Sequence, residues 1–267
     1  MTPRTFLIRG LLAGLVAGLL TFAVGYLVGE PHVDAAIALE EAGDAAPADD
    51  HAHEHADEDH THSHSHGDDE GTSVSRANQA GWGLLTGTLA AGAAFGGIVG
   101  IASAFAVGRL GRLRPTASTA LVTAVGFVSV ALVPFLKYPA TPPAVGDGDT
   151  IGMRTGVYFA LVAISVVAAI AAVLLGRRLL ASLGAYRAVV VACLAYLVVV
   201  VIAALLLPTV NEIGDFPADT LWYFRRASLF TLATMWATIG VVLAGLVESL
   251  HRRKLATQAR RDLAASL

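Results

Sequence analysis

A short internal segment carries most of the histidines of the chain. Seven of the nine lie within residues 51–66, among small residues and carboxylates: His51, His53, His55, His60, His62, His64 and His66. Neutral imidazole binds transition-metal ions, and carboxylates add oxygen ligands. In an extended chain, residues i and i+2 share a face about 7 Å apart, so a flexible segment can fold several imidazoles around one ion. The segment therefore predicts transition-metal binding.

Several properties of this binding follow from the same residues. The segment is not preorganised, so each site should be weak and dynamic, which suits capture and hand-over rather than storage. Binding should weaken below about pH 6 because protonated imidazole cannot coordinate a metal. The general affinity order favours Cu, Ni or Zn over Co, so the tract does not identify the metal. The alternative is a solvating low-complexity tract that binds nothing.

The rest of the chain is unusually apolar. Of its 267 residues, 55% are hydrophobic and 15% are charged, with a mean hydropathy of +0.64. Soluble domains carry about 25% charged residues. The single cysteine, Cys193, excludes a disulfide framework and a thiolate metal cluster. The composition indicates an integral membrane protein, and it argues against a soluble enzyme or a nucleic-acid-binding protein.

Six apolar stretches have the length of about 20 residues that a membrane-spanning helix needs. They are 6–28, 82–107, 117–136, 155–175, 188–207 and 227–247, and apart from Arg9 near the start of the first, none has a charged residue or histidine. We therefore predict an all-α integral membrane protein with a six-helix transmembrane bundle. If the spans alternate, 13 of the 18 basic residues lie on one side, which places that side and both termini in the cytoplasm.

This topology divides the chain into four parts. Residues 1–28 form the first transmembrane helix, and 29–81 form an external loop rich in His, Asp and Glu. Residues 82–247 form a five-helix transmembrane bundle, and 248–267 form a basic cytoplasmic tail. The loop holds 14 acidic residues from Glu30 to Glu70 and no Lys or Arg before Arg76, so we predict that most of it is disordered.

Two patterns predict how the helices pack. Prolines, acids and aromatic residues recur where the odd-numbered spans end and the even-numbered spans begin, which fits an array of three helical hairpins; simple enrichment of such residues at interfaces is the alternative. Gly10, Gly14 and Gly18 recur every fourth residue in the first span, as Gly96 and Gly100 do in the second. Such spacing favours close packing of these two helices.

A second group of candidate metal ligands lies at the outer ends of the spans. Glu30 and His32 follow the first span, and Asn211 and Glu212 follow the fifth. We predict them as ligands near the outer surface, with helix-end anchoring as the alternative. Nearby cations should pair with the acids or hold the hairpins together: Lys137, Arg225 and Arg226.

Several segments resemble the CbtA family of predicted cobalt transporter subunits. They are the acidic, His-rich segment after the first helix, Pro134-Phe-Leu-Lys-Tyr-Pro139, Gly146-Asp-Gly-Asp-Thr-Ile-Gly152, Leu207-Pro-Thr-Val-Asn-Glu212 and Phe216-Pro-x-x-x-Leu-Trp-x-Phe-Arg225. The resemblance implies a membrane component of a cobalt uptake system linked to cobalamin synthesis, usually beside a small His-bearing membrane partner, CbtB. The family is commonly described with five spans, whereas six are counted here.

These observations favour import of a divalent metal across a bacterial inner membrane. The transported ion would be Co²⁺, with Ni²⁺ or Zn²⁺ as alternatives, and we expect no organic cofactor and no nucleic-acid partner. A non-transporting accessory subunit that delivers ions to a partner and a metal efflux protein are the competing hypotheses. No Gly-x-x-x-x-Gly-Lys-Ser/Thr motif and no catalytic constellation occurs, so energy must come from a gradient or a partner, and an enzyme is not expected.

Overall fold

The structure is a computed structural model that describes residues 2–44, 75–111 and 113–266. The described residues are helical, without a β-strand. In chain order the helices are α1 (Pro3–Val24), α2 (Glu30–Asp44), α3 (Arg76–Asn78), α4 (Leu84–Ala106), α5 (Pro115–Gly126), α6 (Val133–Lys137), α7 (Ile151–Leu206) and α8 (Ala218–Ala265). Three π-helical turns connect several of them, at Gly25–Gly29, Gln79–Gly83 and Phe127–Leu132.

Five of the resulting helical units among the described residues are long and apolar enough to cross a membrane. They are Pro3–Ala42, Arg76–Ala106, Pro115–Lys137, Gly148–Leu206 and Ala218–Ala265. The predicted all-α membrane architecture is therefore confirmed at this level, because each unit exceeds the length of about 20 residues that the hydrocarbon layer requires. The last is 48 residues long, about 72 Å at 1.5 Å per residue, so it must extend well beyond the bilayer.

The fourth unit contains both the fourth and the fifth predicted spans. Its backbone leaves the helical conformation at Gly184, where φ is 75° and ψ is 168°. The Ser165 and Tyr196 hydroxyls nevertheless lie 2.8 Å apart, although a straight helix would separate residues 31 positions apart by about 46 Å. The chain therefore reverses at Gly184 and forms two antiparallel arms. Glycine suits this position because the left-handed φ strains any side chain.

The close packing predicted for the first two spans is confirmed. A Cβ atom on Gly10, Gly14 or Gly18 would collide with the backbone of α4, and one on Gly96 or Gly100 would collide with the backbone of α1. The partners run in opposite directions, since Gly10 faces Gly96 and Gly18 faces Thr88. The backbones of α1 and α4 therefore touch directly, whereas most packed helices contact each other through interlocking side chains.

Helix α8 completes the centre of the bundle by packing on α1 and α5. Trp236 is its largest buried side chain, and its ring lies 5.6 Å from the ring of Phe95 and 6.3 Å from that of Phe127. A Cβ on Gly126 would lie 2.6 Å from the Trp236 ring, so this glycine provides the space for the indole. The buried core therefore lies among α1, α4, α8 and the segment after α5.

Two π-helical turns precede prolines. Gly25–Gly29 ends two residues before Pro31, and Phe127–Leu132 ends two residues before Pro134. Proline lacks the N–H that the carbonyl four residues earlier would accept, so the ladder rearranges instead of ending. The Ser129 hydroxyl donates to the carbonyl of Val125 at 2.8 Å within this segment. The first helix consequently continues past its predicted end at residue 28.

The structure differs from two predictions about the segments between spans. The loop 29–81, most of which is predicted to be disordered, is helical at both described ends, in α2 and in α3 with the following π turn. Its remainder, 45–74, lies outside the described residues, so the disorder of that part stays a prediction. The three equivalent hairpins are not seen in the described residues, because the second arm of α7 packs against the first arm rather than along α8. The cause is the turn at Gly184, which brings Gly176 against Ala192.

Replacing Gly96 with alanine should destabilise the protein because the new methyl group overlaps the α1 backbone, which cannot move aside as a side chain can. We expect the free energy of unfolding to fall by about 1–3 kcal/mol, as for other overpacked sites. Gly87→Ala is the matched control, since Gly87 lies in α4 with no atom within 4 Å of its added Cβ. Thermal unfolding in detergent measures both, and equal stability of the two variants would contradict the proposed contact.

Candidate functional site

The seven histidines of the 51–66 tract lie outside the described residues. The four other predicted ligands, Glu30, His32, Asn211 and Glu212, are described, and they lie in the segments after the first and fifth predicted spans. Within residues 2–44, 75–111 and 113–266, no three His, Cys, Asp or Glu side chains form a group that could hold a metal ion. Each of the four has surroundings of its own.

Glu30 belongs to an ion-pair cluster at the base of α2. The Arg76 guanidinium donates to Glu30 and to Asp34, the latter at 2.8 Å. Arg76 opens α3, so the cluster joins the two ends of the predicted external loop. This contact fits the helix-end anchoring alternative for Glu30.

His32 lies on an aromatic surface contributed by α8. Its imidazole stacks on the Tyr223 ring with the ring centres 5.9 Å apart and the planes within 11°. The Arg226 guanidinium lies 4.8 Å from the centre of the same Tyr223 ring. Tyr223 thus has an imidazole and a guanidinium as neighbours, and the arrangement joins α2 to the start of α8.

Glu212 accepts hydrogen bonds in a cluster that joins two loops, the one between α6 and α7 and the one between α7 and α8. Its carboxylate accepts from the backbone N–H of Asp147 at 3.0 Å and from the Thr150 hydroxyl at 2.9 Å, and Arg154 Nε lies 3.6 Å away. These groups, led by the Asp147 N–H, lower the pKa of Glu212 below the ordinary value for glutamate because they stabilise the anion. Asn211, the adjacent predicted ligand, is exposed.

Further hydrogen bonds join the same two loops. The Tyr138 hydroxyl donates to the carbonyl of Pro208 at 2.7 Å, and Lys137 Nζ donates to the Thr209 hydroxyl at 3.3 Å. Of the two alternatives predicted for Lys137, pairing with an acid or holding the hairpins together, this contact between two loops fits the second. The ion pairs among the described residues do not include Lys137. Arg226 contacts Tyr223 rather than a carboxylate.

The two loops enclose a cavity of about 480 Å³. Its walls are mostly apolar, with side chains such as Phe135, Val145, Ile213 and Leu232. Two guanidinium groups also line it, from Arg154 and Arg225. We call this space the outer cavity. It has the size and largely apolar lining of small-molecule pockets.

The sequence did not identify the outer cavity. Its shape depends on Gly146, where φ is 113° and an added Cβ would collide with the Arg154 guanidinium. Arg154 also donates to the carbonyl of Asp147 at 3.0 Å, so the loop backbone holds the guanidinium in place. Nothing in the spacing of the Gly146-Asp-Gly-Asp run indicates that the Arg154 side chain packs against Gly146.

We expect Glu212→Gln to weaken the junction between the two loops. A carboxylate with a lowered pKa stabilises the fold above the ordinary glutamate range, and that contribution is lost as the pH falls through the lowered pKa. The midpoint of thermal unfolding of Glu212→Gln should therefore lie below wild type at pH 7, by a few degrees, and the difference should shrink below about pH 4.5.

Asp215→Asn is the matched control, because Asp215 is an exposed carboxylate of the same loop. Its unfolding midpoint should follow wild type across the pH range. A Glu212→Gln difference that stays constant from pH 7 to pH 3 would contradict the role assigned to the Glu212 charge.

The geometry thus gives a bundle of long apolar helices with charged residues in the loops at one end, and comparison with known proteins gives the family. A family model described as "Probable cobalt transporter subunit (CbtA)" matches residues 3–248. No match was found among curated proteins or among solved structures. Because the family match spans nearly the whole chain, the protein belongs to the CbtA family of probable cobalt transporter subunits.

Proposed function

We propose that this chain is the membrane subunit of a divalent metal uptake system whose external His-rich segment captures Co²⁺ and whose helical bundle passes it inward. The observation that carries the proposal is the family match over residues 3–248. The seven clustered imidazoles of residues 51–66 support the capture step, and the transported ion is substrate rather than a resident cofactor.

The proposal includes six membrane crossings with both termini in the cytoplasm of a bacterial cell. The reversal at Gly184 supports six crossings, since each arm of α7 is long enough to span. Polar contacts support the assignment of sides. The Glu212 cluster joins two segments predicted to be external, while Thr116 donates to Glu248 between two segments predicted to be cytoplasmic.

Inward movement of the ion requires a driving force. A membrane potential that is negative inside favours inward movement of a divalent cation by about 4–5 kcal/mol per 100 mV. The chain contributes no nucleotide-binding motif. We therefore propose that the potential, or a partner such as a small His-bearing membrane protein of the CbtB type, supplies the energy.

One observation favours a second function, that of an accessory subunit which binds the metal and delivers it to a partner. Passage through a bundle requires groups that replace the hydration shell of the ion. The described spans have no charged residue apart from Arg9 near the start of the first, and they have no cluster of His, Cys, Asp or Glu. Two of their buried hydroxyls, those of Thr119 and Thr123, donate to carbonyls of their own helix.

Replacing all seven histidines of residues 51–66 by alanine should raise the external Co²⁺ concentration that gives half-maximal uptake several-fold, with a smaller effect on the maximal rate. The reason is that the tract raises the local supply of ion and does not line the route. Radiolabelled cobalt uptake by intact cells measures this. Wild-type uptake at limiting cobalt should also fall as the external pH drops below about 6, when the imidazoles protonate.

His251→Ala is the matched control, because His251 lies on the predicted cytoplasmic side and should leave uptake unchanged. Equal uptake by wild type and the seven-histidine variant at limiting cobalt would contradict the capture step. Purified protein in liposomes then separates the two functions: cobalt flux supports a transporter, and binding without flux supports an accessory subunit. Metal-sensitive growth on loss of the gene, in place of metal-limited growth, would instead indicate efflux.

A further inference from the structure

The outer cavity contains a cation for which the described residues provide no counter-ion. Arg225 lies on α8 and lines the cavity. Its Nε atom is buried and has no hydrogen-bond partner. The described ion pairs involve Arg76, Arg154 and Arg252, and Arg225 takes part in none of them.

The Nε of the neighbouring Arg154 also has no hydrogen-bond partner, but this guanidinium has a counter-ion. Arg154 faces the Glu212 carboxylate at 3.6 Å and donates to the carbonyl of Asp147. The charged residues that line the cavity are thus Arg154, Arg225 and Glu212, two cations and one anion. The outer cavity carries one positive charge in excess, and that charge belongs to Arg225.

A half-buried guanidinium without partners is costly to maintain. It loses hydration on burial, and its donors gain nothing in exchange unless an acceptor enters. Arginine presents its donors as a rigid planar fork that matches the oxygens of a phosphate or a carboxylate. An anion in the cavity would therefore satisfy the donors of Arg225 and neutralise the excess charge.

We propose that the outer cavity binds an oxyanion, a phosphate or carboxylate carried on an apolar body, with Arg225 as its principal contact. The largely apolar walls accommodate the body, and the volume of about 480 Å³ exceeds that of the anionic group alone. A bare metal cation does not fit this cavity because its net charge is repulsive. The proposal is thus separate from the route of the metal and adds a ligand class to the proposed uptake function.

Two sources could supply this chemistry. Phe159 lines the cavity, and Trp222 precedes Arg225 by three residues in α8; both are exposed aromatic side chains of the kind found at the level of lipid headgroups. A headgroup phosphate could enter from the membrane, and a soluble carboxylate or phosphate could enter from the aqueous side. The experiment therefore needs one arm for each source.

Delipidated full-length protein in detergent can be titrated with three probes: short-chain phosphatidylglycerol, sodium phosphate and sodium butyrate. The readout is the shift in the midpoint of thermal unfolding, and native mass spectrometry counts bound phosphatidylglycerol. We expect at least one probe to raise the wild-type midpoint by about 3 °C or more at saturation. A shift with phosphatidylglycerol alone identifies a lipid headgroup, and a shift with phosphate or butyrate identifies a soluble anion; either supports the proposal.

Arg225→Gln should abolish the shift, and Arg226→Gln, its neighbour on the Tyr223 ring, should retain it. A purely structural role for Arg225 predicts a lower midpoint for the ligand-free variant. Our proposal predicts an equal or higher one, because the substitution removes an uncompensated charge. No shift with any probe, or an equal shift in wild type and Arg225→Gln, would overturn the proposal. None of these measurements uses a metal ion, so they test the anion site independently of the proposed uptake function.

Discussion

The contact between the backbones of α1 and α4 determines where the rest of the bundle can lie. In hydrocarbon, two helices gain little from burying apolar side chains, since lipid tails solvate those equally well. They gain from close approach, and the glycines at positions 10, 14, 96 and 100 permit it. Helix α8 packs against α1 beside this pair, and its Trp236 fills the space that Gly126 leaves. Among the described residues, the two arms of α7 contact this centre mainly through the turn Phe127–Leu132 and α6, and consequently they lie at its edge.

Much of this architecture could be predicted from the sequence because hydrocarbon imposes simple rules. A long apolar stretch without charges must be a helix, and glycines four residues apart must lie nearly on one face. The start of α5 at Pro115 and the end of α6 at Lys137 lie within two residues of the predicted span. Prediction failed where the helix depends on a rearranged hydrogen-bond pattern that cannot be read from the sequence. The first span is predicted to end at residue 28, shortly before Pro31. A π turn instead compensates for the N–H that proline lacks, and the helix continues to Asp44.

The candidate site was less predictable, for a related reason. Sequence reasoning located the charged residues at the outer surface, but pairing among them depends on loop conformation. Glu212 is predicted as a metal ligand, and its surroundings, a backbone amide, a hydroxyl and Arg154, could not be predicted from the sequence. Arg225 and Arg226 are adjacent in sequence, yet one lines the outer cavity and the other lies on an aromatic ring. Helical geometry separates adjacent side chains by about 100°, which is enough to give two arginines different environments.

The glycine contact between α1 and α4 also has a consequence for biosynthesis. Gly14 leaves the ribosome well before Gly96, and at translation rates of roughly 5–20 residues per second the interval is on the order of ten seconds. During that time the glycine face of α1, where the backbone is not covered by side chains, is exposed to lipid or to the insertion machinery. Helix α1 therefore waits for its packing partner, and its stable placement depends on a segment that the ribosome has yet to translate.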